Sequence, residues 1–116
     1  MKKIDKRFQH QLPLRDARQL APPLGVPAPT SEPWEIGKNY LIRTVTMIDT
    51  GRLVAVGPTE LVLEDAAWVA DTGRFSTALQ HYDFNEVEPF PAGRVIIGRG
   101  SVIDAVQILT LPREQK

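Results

Sequence analysis

Five short apolar runs rich in β-branched residues recur from Trp34 onward: Tyr40-Leu41-Ile42, Leu53-Val54-Ala55-Val56, Leu61-Val62-Leu63, Val95-Ile96-Ile97 and Val102-Ile103. Runs of this length and composition predict strands. Between them stand Asp49-Thr50-Gly51, Gly57-Pro58-Thr59, Pro91-Ala92-Gly93 and Gly98-Arg99-Gly100. Each carries residues that supply a preset φ or unusual backbone angles, so each predicts a turn. In Glu60 to Glu64 polar and apolar residues alternate in part, which places Leu61 and Leu63 on one face and Glu60 and Glu64 on the other. Leu53 to Val56 and Val95 to Ile97 are apolar on both faces, the pattern of a strand buried on both sides or lying in a subunit contact.

One segment breaks the strand pattern. After Trp68-Val69-Ala70, Asp71 or Thr72 can cap a short helix through Phe75 and Leu79, which at i and i+4 share a face and belong to the core. Gly73 near its start weakens the helix, and Asp83 and Asn85 mark its exit. Val87 to Phe90 then returns to strand-like sequence, with Pro89 and Pro91 predicting an edge or irregular strand.

The first third has a different texture. Six of the ten prolines lie at Pro13, Pro22, Pro23, Pro27, Pro29 and Pro33, so Leu24 to Pro33 predicts an extended linker. The segment from Leu14 to Leu20 allows a short helix. Residues 1–33 thus read as an arm, 34–110 as the folded body with an inserted segment at 67–85, and 111–116 as a tail. The composition of the arm fits a solvated tail. It equally fits a strap that reaches a neighbouring subunit with Phe8, Leu12, Leu14 and Leu20 as anchors. Charge favours the strap: the arm is net +3 and the rest net −3.

At 116 residues a single domain buries about two thirds of its unfolded surface without metals or disulfides. The chain has no cysteine and only His10 and His81, which excludes a disulfide framework, a thiol nucleophile and a thiolate or histidine-rich metal site. Met1-Lys2-Lys3 is followed by Asp5, Lys6, Arg7 and His10 where a signal peptide needs an apolar stretch, so no export signal is expected. No run is long enough to span a membrane. The expected location is cytoplasmic, or the virion for a phage-encoded protein. A formal net charge of zero gives no field that would advertise a nucleic-acid partner.

Two stretches resemble the two motifs of the Sm and Sm-like family. Ile36-Gly37-Lys38-Asn39-Tyr40-Leu41-Ile42-Arg43, with Gly51-Arg52-Leu53-Val54-Ala55-Val56 and Leu61-Val62-Leu63-Glu64-Asp65-Ala66, is similar to the first. Gly93-Arg94-Val95-Ile96-Ile97-Gly98-Arg99-Gly100-Ser101-Val102-Ile103 is similar to the second. The resemblance spans about residues 36 to 106 and implies an all-β fold with one short helix, a small five-stranded antiparallel barrel behind an extended proline-rich N-terminal arm. Gly51 would permit the bend of a long strand shared by both halves of the barrel, and Gly98 and Gly100 would let the last hairpin close. In that family the fourth strand of one subunit pairs with the fifth of the next, which implies a junction made by Val95, Ile96, Ile97, Val102 and Ile103. A weaker likeness is to small uncharacterised proteins of phages and prophages.

The same comparison limits the ligand. Where RNA-binding members of the family carry an aspartate and an asparagine before the third strand, this chain has Val56 and Glu60, and an acidic Glu60 repels phosphate. Arg99 with Gly100 does match the basic residue and glycine of the second motif, so Arg99, Gly100 and Glu60 are the candidate ligand-binding residues; an exposed arginine in a turn is the plainer alternative. The loop Thr44-Val45-Thr46 lacks the family's glycine. Glu64, Asp65, Asp49 and Asp71 lack the spacing of a calcium loop and read as a solvated acidic rim, with no metal expected. His81, Tyr82 and Asp83 have the residue types of acid–base chemistry without a nucleophile or oxyanion site. Trp34 and Trp68 read as core or interface anchors. The expectation is a self-assembling homo-oligomer, a ring or larger particle, that is not an enzyme and needs no cofactor. A ring that sequesters RNA or a nucleotide through Arg99 is the alternative.

Overall fold

Every backbone donor and acceptor withdrawn from water needs a partner, and here the apolar runs satisfy one another laterally. The computed structural model describes residues 32–116. It contains six strands, β1 (Asn39–Thr44), β2 (Ile48–Val56), β3 (Glu60–Asp71), β4 (Glu86–Pro89), β5 (Val95–Gly98) and β6 (Val102–Gln107), with one helix, α1 (Phe75–His81), and a 3-10 turn at Arg99–Ser101. The all-β expectation with a single short helix holds. The anchors Phe8, Leu12, Leu14 and Leu20 and the helix around Leu14 to Leu20 lie outside the described residues.

All ladders are antiparallel, in the order β4-β3-β2-β1-β6, with β5 also on β3. β3 faces β2 along one edge; along the other it pairs with β5 through Glu60 to Leu63 and with β4 through Ala67 to Asp71. The expected five-stranded barrel is therefore corrected to six strands in a sheet that does not close. The inserted segment brings in the extra strand: its beginning prolongs β3, and β4, which follows directly after its end, pairs with that prolongation. The last hairpin is corrected as well, because β5 and β6 pair with β3 and β1 and have no ladder with each other.

Two further expectations change. Asp49-Thr50-Gly51 is not a turn but part of β2, whose preceding turn is Val45 to Met47. Thr44 closes that turn without a glycine: its N–H donates to the Met47 carbonyl at 2.8 Å, and its Oγ1 accepts from the Met47 N–H at 3.0 Å. Neither Asp71 nor Thr72 caps α1, since Arg74 holds the N-cap position without a side-chain bond. Asp71 Oδ1 instead accepts from the Gly73 N–H at 2.8 Å, and Gly73 takes φ +69, a left-handed angle that glycine tolerates.

The sheet carries a core on each face. Tyr40, Ile42, Leu53, Leu61, Leu63, Ala66 and Ile97 form the first, with Trp34 packed against it. The Trp34 and Tyr40 rings lie 5.1 Å apart and tilted by 60°. Leu61 and Leu63 share this face as their alternation predicts. The second core joins Leu41, Ala67, Val69 and Val87 to Ala78, Phe84 and Ile108, with Phe75 and Leu79 at its margin. The helix that interrupts the strands is thus the lid of a second core, and Phe75 and Leu79 do share its face.

The C-terminal segment is docked too. Lys116 and Val87 exchange both backbone hydrogen bonds, at 3.0 and 3.3 Å, and so cover the outer edge of β4. Arg113 donates to the carbonyls of Ala66 and Phe90.

Thr50 lies opposite Leu41 and Ala67 and is fully buried, with no hydrogen-bond partner for its Oγ1. A buried unpaired hydroxyl costs about 1–3 kcal/mol, whereas an apolar group of the same shape does not. Thr50→Val is therefore expected to stabilise the protein by about 1 kcal/mol, read as a higher denaturant midpoint at unchanged slope.

Candidate functional site

The three residues singled out for ligand contact converge on one end of the sheet. Glu60 opposes Gly98 in the β3–β5 ladder, and the Arg99 N–H donates to the Thr59 carbonyl at 2.9 Å. The Arg99 guanidinium reaches back across the β2–β3 turn, its Nη1 donating to the Gly57 carbonyl at 2.8 Å. Thr59 Oγ1 donates to the Glu60 carboxylate. Arg99 therefore acts as a clasp between two turns, with a carboxylate beside it. The bond to the Gly57 carbonyl is charge-assisted. Gly100 has no left-handed angle, and neither it nor Gly98 has an atom within 4 Å of where a Cβ would stand, so neither position demands glycine.

The stretch from β5 to β6 presents a second feature. Ile97 is buried in the first core and Val95 and Val102 pack against it, yet Ile96 is 69% and Ile103 64% exposed. The doubly apolar run at Val95 to Ile97 is thus buried on one side only. Among the described residues β5 has a ladder only with β3, and β6 only with β1. Each leaves its outer edge unpaired, the arrangement by which strands recruit other strands. Beside Ile103, a groove of about 320 Å³ is lined by Arg43, Thr44, Val45, Thr46, Met47 and Ile48. Val45 and Met47 at a turn tip are the signal for this groove, since apolar residues in so short a loop have no place in the core.

The acidic residues do not gather. Glu64 and Asp65 sit at a bulge in β3, where Arg52 donates to Asp65 Oδ2 at 2.6 Å and Glu64 Oε1 at 3.1 Å, and Arg94 to Glu64 Oε2 at 3.0 Å. The hydrogen bond from Arg52 holds the Asp65 carboxyl below the ordinary aspartate range. Asp104 is lowered in the same way by Arg43, which also lies 5.0 Å over the Phe75 ring. The hydrogen bond from Lys116 lowers the Asp83 carboxyl, which pairs with that ammonium at 2.6 Å. Tyr82 takes a left-handed angle at the helix end, and its hydroxyl accepts from the Leu109 N–H. Asp49 stands apart, opposite Ile42 and Trp68, and burial raises its carboxyl. Trp68 is 40% exposed and so is not a core anchor.

No family model, curated protein or solved structure matches the chain. The functional reading accordingly rests on the geometry just described.

Two outcomes check this geometry. A Cβ on Gly51 would stand 2.9 Å from the Leu63 Cβ and 3.3 Å from that of Ala66. Gly51→Ala is expected to destabilise by about 1–3 kcal/mol in chemical denaturation through overpacking, whereas Gly100→Ala should stay within about 0.5 kcal/mol. For Asp49, the native state holds the proton to higher pH than the unfolded chain. Its effect is a loss of stability as pH rises from below the ordinary aspartate value through the raised one. Asp49→Asn should therefore gain stability at pH 7 and gain nothing near pH 3, as read from thermal unfolding across that range.

Proposed function

We propose that the protein is a self-assembling structural protein whose copies join through the open edges of β5 and β6 into a homo-oligomer, with no catalytic role. The observation that carries this reading is the pair of strand edges that have no partner among the described residues, each bearing an exposed isoleucine. Unpaired edges recruit strands from other chains unless they are covered, shortened or charged. The two edges are different surfaces of one chain, so joining one to the other is a head-to-tail contact, which closes into a ring or runs on as a filament. The Sm-like resemblance adds weight, since the strands that join subunits in that family correspond here to β5 and β6. The arginine clasp favours the assembly reading over nucleotide capture, because the Arg99 guanidinium already bonds the Gly57 carbonyl and Glu60 lies on the same end of the sheet.

Native mass spectrometry of the purified protein, with absorbance at 260 and 280 nm on the same sample, tests the proposal. A closed oligomer free of nucleic acid is expected. A monomer at tens of micromolar would overturn the assembly, and co-purified nucleotide would shift the function to capture through Arg99.

A further inference from the structure

The β1–β2 turn forms one wall of the groove beside β6, and the turn is built rigidly. Three hydrogen bonds between Thr44 and Met47 close it, and the Val45 N–H ties it to the Ser101 carbonyl at 3.0 Å, next to the start of β6. Val45, Met47 and Ile103 line the opening and are 71%, 48% and 64% exposed. The flanking charges neutralise each other, Arg43 donating through Nε to Asp104 Oδ1 at 2.8 Å. Ile103 is also the extra residue at the β1–β6 register shift, between Val102 opposite Thr44 and Asp104 opposite Arg43. The groove is therefore continuous with the edge of β6 that has no partner among the described residues.

The knob that matches it lies on the other open edge. Ile96 opposes Val62, which opposes Ala55, and this row lies on the face away from the first core, where Ile97 is buried. Ile48 in the groove packs on the second core and so marks the same outer face. We propose that Ile96 of one copy seats in the groove of the next, against its Val45, Met47 and Ile103; this rests on the self-assembly reading and assigns its contact. An antiparallel ladder between β5 and the next copy's β6 sets the Gly98 end of one beside the Val102 end of the other, where the groove opens. Strand pairing keeps outer face with outer face, so Ile96 and the groove fall on one side. A second copy is the occupant the geometry favours, because knob and groove lie on the two edges of the same chain, so that every copy carries both halves of the contact. The rigid turn presents the groove already formed, which lowers the ordering cost of association.

The chain has no cysteine, which makes the contact directly testable in the full-length protein. Ile96→Cys and Ile103→Cys are made separately, mixed, and treated with a short bismaleimide crosslinker. Covalent dimers are expected in the mixture at several times the yield of either variant alone. Ile96→Cys mixed with Leu109→Cys, two residues past the far end of β6, should give no such excess. An oligomer on native mass spectrometry with no excess crosslinking between positions 96 and 103 would overturn the knob and groove while leaving self-assembly standing. A monomer with no crosslink would overturn both. A second variant reads the groove without a crosslinker: Met47→Lys, at an exposed position, should raise the concentration at half-assembly at least tenfold with unchanged monomer unfolding, and an unchanged concentration would overturn the contact.

Discussion

The close approach of β2 to β3 at Gly51 is the constraint on which the rest of the structure depends. Arg52 opposes Glu64 and Thr50 opposes Ala67, so one residue of β2 faces two of β3, Asp65 and Ala66. A bulge of this kind adds a residue to one strand and bends it. Asp65 absorbs the irregularity at φ +52, an angle that costs a non-glycine residue about 1 kcal/mol or more. The nearby Arg52 guanidinium offsets that cost with a charge-assisted bond. The bulge also resets which face each residue meets. Strict alternation after Leu61 and Leu63 would drive Asp65 into the first core; the extra residue puts Ala66 there and turns Ala67 and Val69 to the second. One shift of register therefore lets a single 12-residue strand serve two cores on opposite faces.

Those two cores explain what was legible in the sequence and what was not. Runs such as Leu61-Val62-Leu63 and Val95-Ile96-Ile97 are local signals of strand, and they became strands. That Gly51 belongs to a long strand was expected, together with a bend there, but Asp49-Thr50-Gly51 also looked like a turn, and what the glycine meets is a close approach of β3. Composition cannot separate a turn glycine from one demanded by a neighbour in another strand, because the deciding atoms, the Leu63 and Ala66 side chains, are distant in sequence. The extra strand hid for the same reason. Glu86–Pro89 is strand-like only weakly, and its partner, the end of β3, is itself defined by the bulge. The helix was legible from Phe75 and Leu79, whereas its start was not, since the expected cap Asp71 remained in β3. At the candidate site, Arg99 and Glu60 fall on the same end of the sheet, but nothing local announced that the guanidinium would close on the Gly57 carbonyl, forty-two residues away.

The contrast between β4 and β5 bears on assembly more directly than either alone. Both lie along the same edge of β3 and each has four residues. β4 is managed as natural edges are: Pro89 removes a donor, glutamates flank Val87, and Lys116 pairs across the outer side. β5 has no proline and no charge within Val95–Gly98, and it carries Ile96 into solvent. Among the described residues, the protection given to one edge has no counterpart on the next. Nor can the chain cover β5 with β6. The Arg99–Ser101 turn that joins them is three residues of 3-10 helix, anchored on one side to Thr59 and on the other to Val45. It sends the two strands to β3 and β1, and pairing them with each other would break both ladders, so among the described residues neither strand covers the outer edge of the other.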